Sequence, residues 1–122
     1  MCRVSGMQLD GRKVRVADIK KKYIPNIIDA AGRCDMIDRV VLFGSATGEH
    51  CREDSDIDLA VFGNRPPSRA LTSKKYERFA RQLYAFDQNA QAYDILYFES
   101  GRESKSPIMR DIEQGEVLYA RK

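Results

Sequence analysis

Two short apolar segments, Val40–Phe43 and Leu59–Phe62, constrain the fold more strongly than any other feature of the sequence. The first is an uninterrupted apolar run, which is typical of a strand that is covered on both faces. The second belongs to an alternating pattern that begins at Ile57, so apolar residues recur on one face of a strand. The sequence therefore predicts two core strands, over residues 36–43 and 56–62.

Apolar residues at helical spacing surround these strands. The first such pattern begins at Asp18 and ends at Gly32, and Pro25 predicts a kink or a split after Ile24. Lys20–Lys22 are expected on the solvated face of this helix. The later elements are predicted to be a helix over residues 72–86, a strand over residues 93–98, a helix over residues 107–114 and a short strand over residues 117–119. This alternation predicts an α/β or α+β domain built in layers.

The length of 122 residues suits one domain. Residues 1–15 alternate only weakly and contain Gly6 and Gly11, so we expect a poorly ordered start followed by a single domain over residues 16–122. No apolar run approaches the ~20 residues of a membrane helix. The N-terminus has no apolar secretion-signal segment either. We therefore expect a cytoplasmic protein with no membrane association.

The composition excludes several kinds of site. His50 is the single histidine, so a Ser–His–Asp triad would have to use it, and a three-histidine metal site is excluded. The three cysteines, Cys2, Cys34 and Cys51, are not at zinc-ligand spacing, and we expect free thiols in a reducing compartment. A net charge of +3 is too small to indicate a nucleic-acid partner, although it suits a polyanion such as a nucleoside triphosphate.

Chemically distinctive residues stand at the ends of the two core strands. Gly44 and Ser45 follow the first strand directly, and Asp56 and Asp58 open the second. Residues two apart on a strand share a face about 6–7 Å apart, where two carboxylates repel by roughly 3 kcal/mol at an effective dielectric of about 20. A divalent cation would remove this repulsion, and hard oxygen ligands suit Mg²⁺. The alternative is a pair of solvated charges on an edge strand.

A third carboxylate, Asp94, opens the next apolar strand, where patterning predicts a core residue. A crossover through the helix predicted at 72–86 would place this strand beside the one at 56–62. Asp94 would then complete a three-carboxylate cluster. The alternative is that Asp94 is a buried ion-pair partner or a strand-end cap.

Two segments together resemble the signature of the DNA polymerase β-type nucleotidyltransferase superfamily. They are Val41–Ser45, with the sequence VLFGS, and, after a ten-residue loop, Asp56–Leu59, with the sequence DIDL. The closest resemblance is to minimal nucleotidyltransferases, small proteins that are often the antitoxin partners of HEPN-domain toxins. It covers about residues 16–120, including the helix with Pro25 and the third carboxylate at Asp94. It implies the polymerase-β-like fold, a small mixed β-sheet flanked by helices.

This resemblance also implies an activity and a site. The protein would be a Mg²⁺-dependent nucleotidyltransferase that moves a nucleoside monophosphate, with AMP from ATP expected, onto a hydroxyl group. Asp56, Asp58 and Asp94 would be the catalytic residues and the ligands of one or two Mg²⁺ ions. Gly44 and Ser45 would bind the triphosphate. The implied acceptor is a side-chain hydroxyl of a HEPN-domain toxin, and the protein would be its antitoxin in a homo- or hetero-oligomer.

Gly48 departs from the family's pattern, because minimal nucleotidyltransferases commonly carry Arg or Lys three residues after the serine. Arg52, Lys74, Lys75 or Arg78 could supply the missing basic group. The departure favours one alternative, a binding protein that neutralises a toxin by contact alone. Two others are an enzyme that modifies an antibiotic hydroxyl, although such enzymes usually carry an additional helical domain, and an RNA-binding module.

Overall fold

The computed structural model describes residues 3–9 and 11–121. Its strands are β1 (Val4–Leu9), β2 (Arg12–Ala17), β3 (Ile37–Phe43), β4 (Ile57–Gly63), β5 (Tyr93–Glu99) and β6 (Glu116–Ala120). Its α-helices are α1 (Ile24–Gly32), α2 (Pro67–Ala70), α3 (Lys74–Ala85) and α4 (Met109–Glu113), and 3-10 helices span Asp18–Tyr23 and Gly44–Thr47. Within the described ranges, no helix has both the length and the apolar character needed to cross a membrane.

A four-stranded mixed sheet, in the order β5-β4-β3-β6, forms the centre of the fold. β3 is antiparallel to both of its neighbours, whereas β4 and β5 run parallel. A parallel pair needs a crossover connection, and α2 and α3 supply it between Gly63 and Tyr93. The small mixed sheet flanked by helices that the family resemblance implied is confirmed.

Apolar residues cover both faces of this sheet. Because consecutive strand residues point to opposite faces, an uninterrupted run such as Val40–Phe43 supplies both. The larger cluster lies against α1 and α3 and includes Val40, Leu42, Leu59, Ile27 and Leu83. The smaller cluster lies against α4 and consists of Val41, Phe43, Ala60, Phe62 and Ile112.

The helix predicted from Asp18 is divided in two. Its first part, Asp18–Tyr23, is a 3-10 helix, and α1 begins at Ile24 with Pro25 in its first turn. Proline lacks the N–H that a helix interior requires but is tolerated at a helix start. The predicted split is therefore present, but it falls between Tyr23 and Ile24, one residue before the predicted position. The prediction that Lys20 is solvated was wrong, because its side chain is buried.

β1 and β2 pair as an antiparallel hairpin, in contrast to the poorly ordered segment predicted for residues 1–15. Val14 and Val16 of β2 belong to the main core and anchor the hairpin there. Gly11 lies between the two strands at φ = 81°, a left-handed conformation that glycine adopts readily. The described ranges leave out Met1, Cys2, Asp10 and Lys122, so the free thiol expected at Cys2 lies outside them.

Candidate active site

Strand register places Asp58 and Asp94 side by side. They are Cα partners in the parallel pair β4–β5, and neighbouring strands lie about 4.8 Å apart. On its other side Asp58 is the Cα partner of Phe43, the last residue of β3, so the turn Gly44–Thr47 begins next to it. Asp56 lies two residues before Asp58, just outside β4. The fold thus brings residues from three separate segments to one end of the sheet.

The backbone at Gly44 makes room for the carboxylate of Asp58. Gly44 has φ = 75°, in the left-handed region that residues with a Cβ rarely adopt. A Cβ at this position would lie 3.1 Å from Cγ of Asp58 and would overlap its Oδ2 atom. Any side chain at Gly44 would therefore strain the turn and also displace the carboxylate.

The charges of Asp56 and Asp94 act on the carboxylate of Asp58. Asp58 is half-buried, whereas Asp56 and Asp94 are exposed. Burial raises the pKa of Asp58 above its usual range, and the negative charges of Asp94 and then Asp56 raise it further. Both neighbours are therefore close enough to act on Asp58. The exposure of Asp94 also argues against the alternative that it is a buried ion-pair partner.

The turn Gly44–Thr47 holds Ser45 beside this group. Thr47 Oγ1 donates a hydrogen bond to the Gly44 carbonyl at 2.8 Å, and the Gly48 N–H donates to the Ser45 carbonyl at 2.9 Å. Ser45 lies inside the 3-10 helix, whose N-cap position is Phe43, so its hydroxyl does not cap this helix. Its side chain makes no hydrogen bond to another described residue, which leaves the partly exposed hydroxyl able to bind a ligand oxygen.

The lysines of α3 lie at the wrong end of the sheet to compensate for Gly48. Lys75 Nζ is 2.7 Å from Oδ1 of Asp35, which precedes β3. Gly44 follows β3, and a strand of seven residues is about 23 Å long. Lys74 and Lys75, both in the first turn of α3, are therefore too distant to contact a ligand at Gly44.

The two remaining basic candidates lie on different sides of the fold. Arg78 lines a cavity together with Cys34, which also precedes β3, so it is distant from the aspartates as well. Arg52 lies in the loop that leads to Asp56, and its Nε is 3.6 Å from Oδ1 of Asp54. Of the four basic residues selected from the sequence, Arg52 is the one in a segment that adjoins the aspartates.

Sequence reasoning missed a buried polar network that adjoins the aspartates. Lys20 is 1% exposed, and its Nζ donates hydrogen bonds to the carbonyl oxygens of Glu53, at 3.0 Å, and Ser55, at 2.8 Å. A third bond goes to Oε1 of the buried Gln91, at 2.6 Å. One signal in the sequence could have shown this burial: Lys20 lies seven residues before Ile27 and therefore on the same helical face.

The donor chemistry suits a magnesium ion that arrives with a phosphate ligand. Among residues 3–9 and 11–121, no three His, Cys, Asp or Glu side chains form a ready metal-binding group. Mg²⁺ commonly uses one or two carboxylates and takes its other ligands from substrate phosphates and water. Asp56 and Asp58 offer hard oxygen donors of this kind, and the lack of a Cβ at Gly44 leaves room for the Asp58 carboxylate.

Comparison with known families now identifies the class of protein. The family model described as polymerase beta, nucleotidyltransferase matches residues 25–122. Because this match covers most of the chain, the protein belongs to that nucleotidyltransferase family. Membership confirms the resemblance seen in the VLFGS and DIDL segments at the level of the superfamily, and it indicates nucleotidyl transfer as the general activity. A search of curated proteins gives no significant match.

Proposed function

We propose that this protein transfers a nucleoside monophosphate, AMP from ATP, to a hydroxyl group in a Mg²⁺-dependent reaction. The observation that carries the proposal is the position of Asp58, between the backbone of Gly44 and the carboxylate-bearing Asp94. Burial, followed by the negative charges of Asp94 and Asp56, raises the pKa of Asp58. Mutually repelling carboxylates beside a glycine turn are unfavourable in the free protein, but they suit a complex of a cation with a triphosphate.

Binding of the nucleotide is assigned to two groups of residues. Backbone N–H groups of the turn Gly44–Thr47 and the hydroxyl of Ser45 would bind phosphate oxygens. Asp56 and Asp58 would hold the metal ion against the triphosphate. When bound, Mg²⁺ stabilises the charge that develops on the attacking and leaving oxygens. Arg52, in the loop before Asp56, is the basic residue we assign to the outer phosphates.

Proton removal is assigned to Asp94. Its exposure allows an acceptor hydroxyl to approach, and its carboxylate would take the proton as the hydroxyl oxygen attacks. The new bond joins that oxygen to the α-phosphorus. The bond from the α-phosphorus to the oxygen that bridges to the β-phosphorus breaks, and pyrophosphate leaves. The products are a nucleoside monophosphate ester and pyrophosphate.

A protein acceptor is the substrate we propose. Asp56 and Asp94 are both exposed, so this end of the sheet is open to a macromolecule. The resemblance to minimal nucleotidyltransferases supports a HEPN-domain toxin, with a side-chain hydroxyl as the modified group. The protein would then act as an antitoxin in a hetero-oligomer with its target, in the cytoplasm where ATP is available.

The test is transfer of labelled nucleotide. The protein is incubated with Mg²⁺ and with ATP labelled at the α- or the γ-phosphate, with and without a HEPN-domain protein. We expect label from the α-phosphate, and none from the γ-phosphate, on the partner. Asp58→Asn should abolish transfer, whereas Glu103→Gln, which removes an exposed carboxylate of the loop after β5, should retain it. Equal transfer by both variants would contradict the proposed site.

A second candidate function is toxin neutralisation by contact alone. Two observations favour it: Gly48 replaces a basic residue, and Lys75 lies at the far end of the sheet. The same variants distinguish the two functions. If Asp58→Asn neutralises the toxin as well as the wild type does, without any transfer of label, contact is the mechanism.

A further inference from the structure

We infer that Lys20 and Gln91 are positioning residues, which hold the two aspartate-bearing strand ends at a fixed separation. The inference rests on the proposed function, because it concerns the spacing of the proposed catalytic carboxylates. Lys20 lies before the residues 25–122 that match the family, and Gln91 lies within them.

The ammonium group of Lys20 connects two segments that are far apart in the sequence. An ammonium has three hydrogens, and all three are donated to uncharged oxygens. Two of the acceptors are carbonyl groups in the loop before β4, at Glu53 and Ser55. The third is the side-chain oxygen of Gln91, two residues before β5. One buried group therefore links the approaches to both strands.

Gln91 completes this connection through its amide nitrogen. Nε2 donates to the carbonyl of Ser55 at 3.0 Å and to the carbonyl of Ala92 at 2.7 Å. The Ser55 carbonyl therefore accepts from both Lys20 and Gln91. The N–H of Ile57 in turn donates to the Ala92 carbonyl at 3.0 Å, where the β4–β5 pairing begins.

This network includes hydrogen bonds made by residues that lie next to Asp56 or two residues before Asp94 in the chain. Asp56 lies between Ser55 and Ile57, and both of these neighbours are fixed by the bonds just described. Asp94 follows Ala92 by two residues on the adjacent strand. A shift of either strand end would therefore change the separation of the carboxylates.

Packing alone does not explain a lysine at this position. A buried ammonium is costly to hold, and an apolar side chain of similar length would fill the same space without that cost. What an apolar side chain could not provide is three directed hydrogen bonds to two separate segments. We therefore infer that Lys20 aligns the two strand ends and does not serve only to fill the core.

The test compares Lys20→Met with Lys22→Met. Methionine keeps the length of the side chain and removes the donors, and Lys22 is an exposed residue of the same 3-10 helix, so both variants lose one charge. Three quantities are measured. They are Mn²⁺ binding with an ATP analogue that cannot be cleaved between its α- and β-phosphates, transfer kinetics with ATP, and hydrogen exchange of the Ile57 amide.

We expect Lys20→Met to weaken Mn²⁺ binding by about 10- to 100-fold, as loss of groups that orient metal ligands does. The value of kcat should fall by about 10²-fold, because a misplacement of ~1 Å can cost that much. The Ile57 amide should exchange faster. Lys22→Met should match the wild type in all three measurements. A purely structural role would lower the melting temperature and leave the metal dependence of the folded variant unchanged.

A second variant guards against failure of Lys20→Met to fold. Gln91→Met removes the amide that joins Ser55 to Ala92 and should give the same weaker Mn²⁺ binding. A folded Lys20→Met or Gln91→Met protein with wild-type Mn²⁺ affinity and Ile57 exchange would overturn the inference. If the wild type itself neither binds Mn²⁺ nor transfers label, the proposed function fails, and the inference that rests on it fails too.

Discussion

Replacement of Asp94 by asparagine should change stability and activity in opposite directions. The substitution removes one negative charge and keeps the size of the side chain. Because Asp94 is exposed and raises the pKa of Asp58, its loss should stabilise the free protein. Transfer should fall by about 10²–10⁴-fold through loss of proton removal alone.

The size of the stability gain follows from the strand register. In-register neighbours on parallel strands lie about 5 Å apart, where two unit charges repel by about 3 kcal/mol at a dielectric of 20 and by about 1 kcal/mol in bulk water. Asp94 is exposed and Asp58 half-buried, so we expect a gain near the lower limit, about 1 kcal/mol. For a domain of this size that is roughly 4 °C in Tm.

The stability gained by Asp94→Asn should also depend on pH. The raised pKa of Asp58 means that the folded protein binds this proton more tightly than the unfolded chain does. The free energy of unfolding therefore falls as pH rises from the ordinary aspartate pKa, about 3.9, through the raised value. Above that range the repulsion is fully present. The advantage of Asp94→Asn should be largest at neutral pH and shrink below about pH 4, where Asp58 is protonated in both states.

Urea unfolding at neutral pH, in low salt and without divalent ions, measures this difference. Glu103→Gln is the control, because it removes an exposed carboxylate outside the strand pair. Salt at about 1 M should reduce the gain by screening. A destabilisation of about 3–5 kcal/mol would refute the reasoning, since it would mean that Asp94 holds a buried cation. Asp94 would then leave the proposed catalytic set.

Three further predictions concern the metal, the nucleotide and the glycine turn. Mg²⁺ or Mn²⁺ with nucleotide should stabilise the fold by ~2.7 kcal/mol at a hundredfold excess over Kd, and an equal response in Asp56→Asn/Asp58→Asn would rule out the metal site. Ser45→Ala should weaken ATP binding by roughly 1.5–3 kcal/mol in calorimetric titration at unchanged Tm, and unchanged affinity would exclude the hydroxyl from phosphate binding. Gly44→Ala should destabilise more than Gly101→Ala in urea unfolding. Gly101 has a similar φ of 81° with nothing within 4 Å of an added Cβ, so equal effects would mean that Asp58 does not need the space.

The strands of the central sheet could be predicted because each is indicated by residues that are neighbours in the sequence. The apolar run Val40–Phe43 is continuous since its residues enter two cores, one on each face of the sheet. Pro25 marks its own helix boundary through its missing N–H. The N-terminal hairpin could not be predicted in this way. None of the described residues of β1 is buried, so its place depends on pairing with β2 and on two core residues, Val14 and Val16.

The candidate site also has a part that could be predicted from the sequence and a part that could not. The sequence already placed Gly44 after one strand and Asp58 at the start of another, and the parallel crossover brought Asp94 beside them. The burial of Lys20 depends on acceptors that follow it by more than thirty and seventy residues. A charged residue that is satisfied only by such distant partners looks, in the sequence, like an ordinary surface lysine.

The acidic cluster and the buried network oppose each other at the start of the β4–β5 pair. Repulsion between Asp58 and Asp94 acts to separate the two strand ends in the free protein. The bonds from Lys20 and Gln91 to the Ser55 carbonyl act to hold them together. The hydrogen bonds to Ser55 are partly buried, the bond from Lys20 to Gln91 is buried, and the repelling charges are partly solvated, so we expect alignment to prevail before any ligand arrives. A cation–triphosphate ligand would then meet carboxylates already in place, and relief of their repulsion would contribute to binding rather than to ordering of the site.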